Sequence, residues 1–187
     1  MKKYIILLIL TNLSFSYSQI DPLDVEIVRD SFGVPHIYGK TDADVAYGLA
    51  WSHAEDDFKT IQQGYLAGNG LLSKHIGIKG AGADFLSQLI ESKETVDKLF
   101  STLDSDFIKI IEAYSQGLNK YAETHPNEIL EKKLFPITPK KMTAYSFLQL
   151  FIANEADKLV LSIINNKVPR ENPFKDDIKG SNTFAFN

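Results

Sequence analysis

The sequence predicts an α+β fold: a mostly helical chain led by a β-hairpin. Three observations predict it. Residues 25–29 alternate as Val-Glu-Ile-Val-Arg, and Pro35 to Tyr38 is a second short apolar stretch, with the turn-forming Asp30-Ser31-Phe32-Gly33 between them. Phe107, Ile110, Ile111, Tyr114, Leu118 and Tyr121 recur at helical spacing. Thr138-Pro139 opens another helical stretch, with Met142, Tyr145, Leu148, Phe151 and Ile152 on its apolar side. The 187 residues are 44% hydrophobic and 24% charged, ordinary globular values that argue against wholesale disorder, collagen-like sequence and coiled coil.

The elements follow in order. Pro35 has no N–H to give a ladder, so it belongs at an edge or at the start of its strand. Thr41-Asp42-Ala43-Asp44 is a helix start, with threonine as cap and acids at the positive end. Val45, Leu49, Phe58, Ile61 and Tyr65 fall on a loose helical stripe, with Ala46, Ala50 and Ala54 adjacent. Gly48 weakens that helix, and close packing against another backbone would explain it. Gly68-Asn69-Gly70 ends the helix. Residues 77–82 are glycine-rich, match no phosphate-loop or dinucleotide pattern, and are expected to be a surface loop. Residues 83–102 look helical. Asp104 or Ser105 caps the next helix, and His125-Pro126 stops it. Residues 126–137 are a loop, and the helix from 139 runs to about 158. Residues 165–180 are polar, with two prolines, as in an exposed linker; residues 181–187 turn apolar and strand-like.

The chain ends carry their own signals. Lys2 and Lys3, the apolar run Tyr4 to Leu10, and the small residues Ser16 and Ser18 form a signal peptide over residues 1–18, cut near Ser18/Gln19. The apolar run is too short to span a bilayer, so export to the periplasm or medium is expected, without stable membrane insertion. Removal of Lys2 and Lys3 takes the net charge from −4 to −6. With a pI near 5.6, a nucleic-acid footprint is not expected. The absence of cysteine excludes disulfides, thiolate metal sites and cysteine nucleophiles. A sequence that stops while opening a strand is expected to be a fragment.

The residues alone identify little chemistry. His36, His53, His75 and His125 lack the spacing of a helical metal pair, and no metal ligand is assigned. Glu55-Asp56-Asp57 lacks the calcium-loop spacing and reads as a solvated helix face, with one acid in a buried ion pair. There is no G-x-S-x-G elbow. A non-catalytic exported helical binding module remains the alternative to an enzyme.

Two segments go further. The first is Val28-Arg29-Asp30-Ser31-Phe32-Gly33-Val34-Pro35-His36-Ile37-Tyr38, followed by Ala46-Tyr47-Gly48 through Ala54-Glu55-Asp56; the second is Gly180-Ser181-Asn182-Thr183-Phe184-Ala185. Together they resemble the penicillin acylase family of N-terminal-nucleophile hydrolases, over residues 24–187, and Glu55 is closer to the acyl-homoserine-lactone and lipopeptide acylase branch. The resemblance implies an αββα hydrolase of which residues 19–164 are the α-subunit region, 165–180 the processing linker and 181–187 the start of the β-subunit. It implies self-cleavage between Gly180 and Ser181, with Ser181 as nucleophile and its own α-amino group as base. It implies a small-molecule acyl amide as substrate: penicillin-like, acyl-homoserine-lactone or lipopeptide. The helix from 139 would line the acyl pocket through Phe151, Ile152 and Asn154. The family's structural Ca2+ takes a glutamate beyond the long helix, for which the sequence offers no clear match. The oxyanion-hole donors fall outside the chain, so the chain alone is expected to be inactive, poorly soluble and in need of its β-subunit.

Overall fold

The computed structural model describes residues 19–165, and the expectations for residues 1–18, for most of the linker and for Gly180 and Ser181 lie outside them. By contacts the chain divides into two units, one of residues up to Gln62 with Thr102–Pro139, the other of Gln63–Ser101 with residues from Lys140 on. Strands β1 (Glu26–Arg29) and β2 (Pro35–Tyr38) pair antiparallel, with Ile27 opposite Ile37 and Arg29 opposite Pro35. Proline thus opens its strand, as expected. Gly33 takes φ 83°, a conformation that suits glycine.

Helix α1 (Asp42–Gly68) starts on a capping box. The Thr41 hydroxyl accepts from the Asp44 N–H at 3.2 Å, and the Asp44 carboxylate accepts from the Thr41 and Lys40 N–H groups at 2.9 and 3.1 Å. The helix is broken at Asp57, which is extended (φ −159°, ψ 71°). The Asp57 carboxylate accepts from the Thr60 N–H at 3.0 Å and so caps the second half. That places Asp57 at a kink, where the sequence suggested an unbroken solvated face.

The buried face of the first half also differs from the expected stripe. Ala46, Tyr47, Ala50, Ala54 and Phe58 are buried, while Val45 and Leu49 are each 37% exposed. The small residues are chosen for contact distance. A β-carbon on Gly48 would lie 2.6 Å from Ile37 Cγ2 and 2.8 Å from Val25 Cγ1. The helix therefore packs tightly at Gly48, but against hairpin side chains and not against a backbone. Backbone approach occurs at Gly117 of helix α5 (Ser105–Thr124), where a β-carbon would overlap the Tyr47 carbonyl oxygen. Asp104 caps α5 by accepting from the Asp106 and Phe107 N–H groups, and His125 ends it. Residues 126–137 are held by two amides. Fully buried Gln62 donates to Glu128 O and accepts from Leu130 N–H; Asn119 bonds both backbone groups of Ile137.

The second unit builds its own core. Ala67, Leu86 and Leu148 are buried, with Leu72, Ala83, Ile90 and Val160 packed around them. Tyr145 lies on the surface left by Gly64 and Gly68, and crosses Tyr65 edge-on at 5.5 Å. Residues 77–82 are not a loop, which corrects the sequence expectation. After a short helix α2 (Ser73–Ile76), residues 77–80 form a 3-10 turn that leads into α3 (Ala81–Leu89). Gly80 is buried because its missing side chain admits the Leu72–Ser73 backbone. Buried Asp84 accepts from the Leu72 and Ser73 N–H groups at 2.7 and 2.8 Å. Helix α4 (Ser92–Leu99) follows. The helix expected over 139–158 is two: α6 (Pro139–Ala153) and α7 (Ala156–Ile164), separated at Glu155 with φ 60°. No helix among the described residues is long and apolar enough to cross a membrane.

Glycine packing generates a paired prediction. Gly117→Ala should lower stability in urea unfolding by about 1–3 kcal/mol through overpacking. Gly82→Ala, with nothing within 4 Å of its β-carbon, should be neutral or stabilising by up to about 1 kcal/mol.

Candidate functional site

The signature residues of the hairpin and of α1 form one hydrogen-bonded clasp. The Arg29 guanidinium donates to Gly33 O at 2.8 Å, to Ser52 O at 3.3 Å and to Glu55 at 3.0 Å, and pairs with Asp56 at 2.9 Å. A planar fork with five donors reaches this set of acceptors; an ammonium point charge does not. Glu55 also accepts from Trp51 Nε1 at 2.8 Å. Glu55 raises the Arg29 pKa through its hydrogen bond, partial burial lowers it, and Asp56 raises it again. The ion pair expected for this run thus forms, but neither acid is buried. Half-exposed ion pairs add little stability, so the clasp acts by fixing geometry.

The turn itself is organised by Asp30. One oxygen accepts from the Phe32 and Val34 N–H groups at 2.9 and 3.0 Å, and the other lies 3.2 Å from His36 Nε2. The His36 hydrogen bond and the Val34 N–H hold the Asp30 carboxyl below the usual carboxylate range. Behind the clasp, Trp51 meets Tyr121 edge-on at 5.2 Å, and Tyr121 stacks on His125 at 3.9 Å. His53 Nδ1 lies 2.8 Å from the Tyr114 hydroxyl, whose pKa burial pushes up to about 12. Such a phenol stays neutral and is no nucleophile.

The residues expected to line an acyl pocket are separated by the structure. On α6, Tyr145, Ser146, Gln149, Leu150, Ile152 and Ala153 border an open cleft of about 660 Å3. Ile152 is among them. Phe151 instead packs edge-on against Phe147 at 5.2 Å, and Asn154 donates to Leu150 O at 2.6 Å as a helix-end cap. The sequence put Tyr145 on the apolar side of this helix but assigned neither it nor Gln149 to the cleft; the two are joined by a 2.6 Å hydrogen bond at i, i+4. Glu155, directly after the long helix, accepts from Lys158 at 2.8 Å. Among the described residues no group of three or more acids, histidines or cysteines assembles that could hold a metal ion.

Comparison with known proteins decides the family. A model described as penicillin amidase matches residues 24–187. The chain belongs to the penicillin amidase family. It is 22% identical over 140 residues to penicillin G acylase of Escherichia coli, which covers 72% of the chain and 16% of that protein. It is 26% identical to penicillin acylase 2 proenzyme of Pseudomonas sp. SE83 over 52% of the chain and 12% of that protein. To acyl-homoserine lactone acylase PvdQ of Pseudomonas fluorescens it is 22% identical, over 51% of the chain and 13% of that protein. The chain thus spans about one sixth or less of these penicillin amidase relatives. The solved thermostable penicillin G acylase from Alcaligenes faecalis shares the fold, with a TM-score of 0.59 at 17% identity, covering 87% of this chain and 98% of that one.

Two measurements test the clasp. Arg29→Lys keeps the charge but loses the fork, and should speed amide hydrogen exchange in β1 and β2 several-fold while leaving α5 unchanged; equal protection would contradict the geometry. The lowered Asp30 pKa gives a sign. Its stabilising contribution is complete above the unfolded value of about 3.9 and is lost as pH falls through the lower folded value. The Phe32 and Val34 amide resonances should therefore titrate with a midpoint below about 3.9; a midpoint above that value would contradict it.

Proposed function

We propose that this chain is the small-subunit region of an exported acylase precursor that cuts itself at Gly180-Ser181. The observation that carries the reading is a contrast in coverage. The match takes up 98% of a solved penicillin G acylase chain but only 12–16% of curated sequences, one of them called a proenzyme. That contrast is what a small subunit released from a long precursor would give. The family match also runs through Gly180 and Ser181 to residue 187.

The chemistry gives Ser181 its role. A serine hydroxyl is a poor nucleophile until a base takes its proton. Within a chain the Ser181 nitrogen is an amide and is not basic. Attack of its hydroxyl on the Gly180 carbonyl, followed by hydrolysis of the resulting ester, frees an α-amino group with a pKa near about 8. That amine then accepts the hydroxyl proton as the oxygen attacks a substrate amide. The acyl-enzyme forms, the amine leaving group takes a proton, and water releases the acid. Glycine at 180 leaves the scissile carbonyl sterically open.

The substrate class is an acyl amide: the relatives' names support the penicillin-like and acyl-homoserine-lactone kinds, and a lipopeptide is the third candidate. The α6 cleft, with Ile152 and Tyr145, is the surface we assign to the acyl group. The β-subunit of the αββα hydrolase is the partner that would cover the exposed Leu23, Phe32, Ile78 and Leu150 (92%, 90%, 88% and 62% exposed). Residues 1–18 direct export.

Mass spectrometry of the product of the whole precursor tests this. A new N-terminus at Ser181 is expected, together with hydrolysis of a chromogenic acyl amide. Ser181→Ala should leave the precursor intact and activity at background. An intact, active wild-type precursor would overturn the reading.

A further inference from the structure

The sequence holds a single Asn-Gly pair, Asn69-Gly70, and it stands at the end of α1. Such a pair is chemically labile in an open chain. Glycine has no side chain to shield its nitrogen, which attacks the side-chain carbonyl of the asparagine before it. Here the fold occupies both reacting groups. The Gly70 N–H donates to Ala67 O at 3.0 Å and the Leu71 N–H to Leu66 O at 2.8 Å, the paired bonds of a Schellman helix end, with Gly70 at φ 66°. The Asn69 amide donates from Nδ2 to Tyr65 O at 2.7 Å and to Lys141 O at 3.1 Å.

The second of those acceptors puts the amide on a seam inside the second unit. Lys141 lies in the first turn of α6, and α6 is seated on the bare surface of α1, where a β-carbon on Gly68 would overlap Tyr145 Cα. Both partners of the amide are carbonyl oxygens, so only a donor fits between them. Asn69 and Gly70 are themselves only half-buried, so water and hydroxide reach them once these bonds are released.

We propose that Asn69-Gly70 is a latent deamidation site, held closed by the α1–α6 seam, which marks the second unit irreversibly when that seam opens. In the opened chain the Gly70 nitrogen gives its proton to hydroxide and bonds to Asn69 Cγ. The Cγ–Nδ2 bond breaks, and the nitrogen takes a proton from water and leaves as ammonia. Water then opens the cyclic imide at one carbonyl or the other, giving aspartate or isoaspartate. One water is consumed and one ammonia released, with no oxidant or cofactor. Neither product restores the seam. The aspartate turns a negative oxygen toward the carbonyls of Tyr65 and Lys141, and the isoaspartate inserts a methylene into the backbone of the helix end. The chemistry does not involve Ser181, so it stands or falls separately from the acylase reading.

The test is to incubate the full chain in mildly alkaline buffer with and without denaturing urea. The peptide carrying residue 69 is followed by mass spectrometry, and isoaspartate is counted with an isoaspartyl methyltransferase. In urea Asn69 should react before every other asparagine. In buffer it should react at least about tenfold more slowly, because reaction waits on opening. Asn69→Asp should lower the urea midpoint more than Asn69→Ala, which removes the donors without adding a charge. Chain aged in urea and returned to buffer should refold only in its unconverted fraction, a comparison that holds even where Asn69→Asp does not fold. Equal rates in buffer and urea, another asparagine reacting first in urea, or full refolding of the converted chain overturns the proposal.

Discussion

A β-carbon at Gly48 would stand 2.6 Å from Ile37 and 2.8 Å from Val25, and one at Gly117 would overlap the Tyr47 carbonyl. The first unit depends on this shortage of side-chain volume. Ala46, Ala50 and Ala54 continue the same buried face between the two glycines' contacts. Little apolar area is available on alanine and glycine, so close approach and dispersion replace large side chains as the source of cohesion. Larger residues then close the unit farther along, where Phe58 meets Tyr121 at 5.0 Å and Leu118 is fully buried.

The hairpin needs a second restraint, because two strands of four residues are marginal alone. Arg29 supplies it by joining the turn carbonyl of Gly33 to the carbonyl of Ser52 and to both acids of α1. Asp30 then sets the turn from inside. The residues that mark the family in sequence are thus the residues that fix the hairpin on the helix. They hold the hairpin and the start of α1 in one shape.

Much of the fold was legible in the sequence, for identifiable reasons. The hairpin, the cap at Asp104, the stops at Gly68 and His125, and Pro139 as the first helical residue are local signals, and each stands as read. The failures are tertiary. Periodicity put Val45 and Leu49 on a loose apolar stripe, but the helix buries the adjacent alanine face, which lets a neighbour come near. Glycines at 77–82 resembled a loop, but Gly80 is buried against backbone and Asp84 supplies the cap from twelve residues beyond Leu72. The kink at Asp57 carried a signal, an acid three residues before Thr60, that was outweighed by the surrounding helical pattern. Of the candidate site, Ile152 lies on the α6 cleft, whereas the pairings of Phe151 with Phe147 and of Asn154 with Leu150 depend on side-chain directions that spacing does not give.

In the first unit the contact distance at Gly48 sets the packing, and the Arg29 clasp locks the hairpin onto α1. A double-mutant cycle between Gly48 and Ile37 tests that most directly. Gly48→Ala should destabilise the wild-type chain in urea unfolding, and in an Ile37→Ala background, where Cγ2 is gone, its cost should fall by at least half, a coupling of about 1 kcal/mol or more. Additive effects, within about 0.3 kcal/mol, would contradict the claim that the hairpin is seated on Gly48.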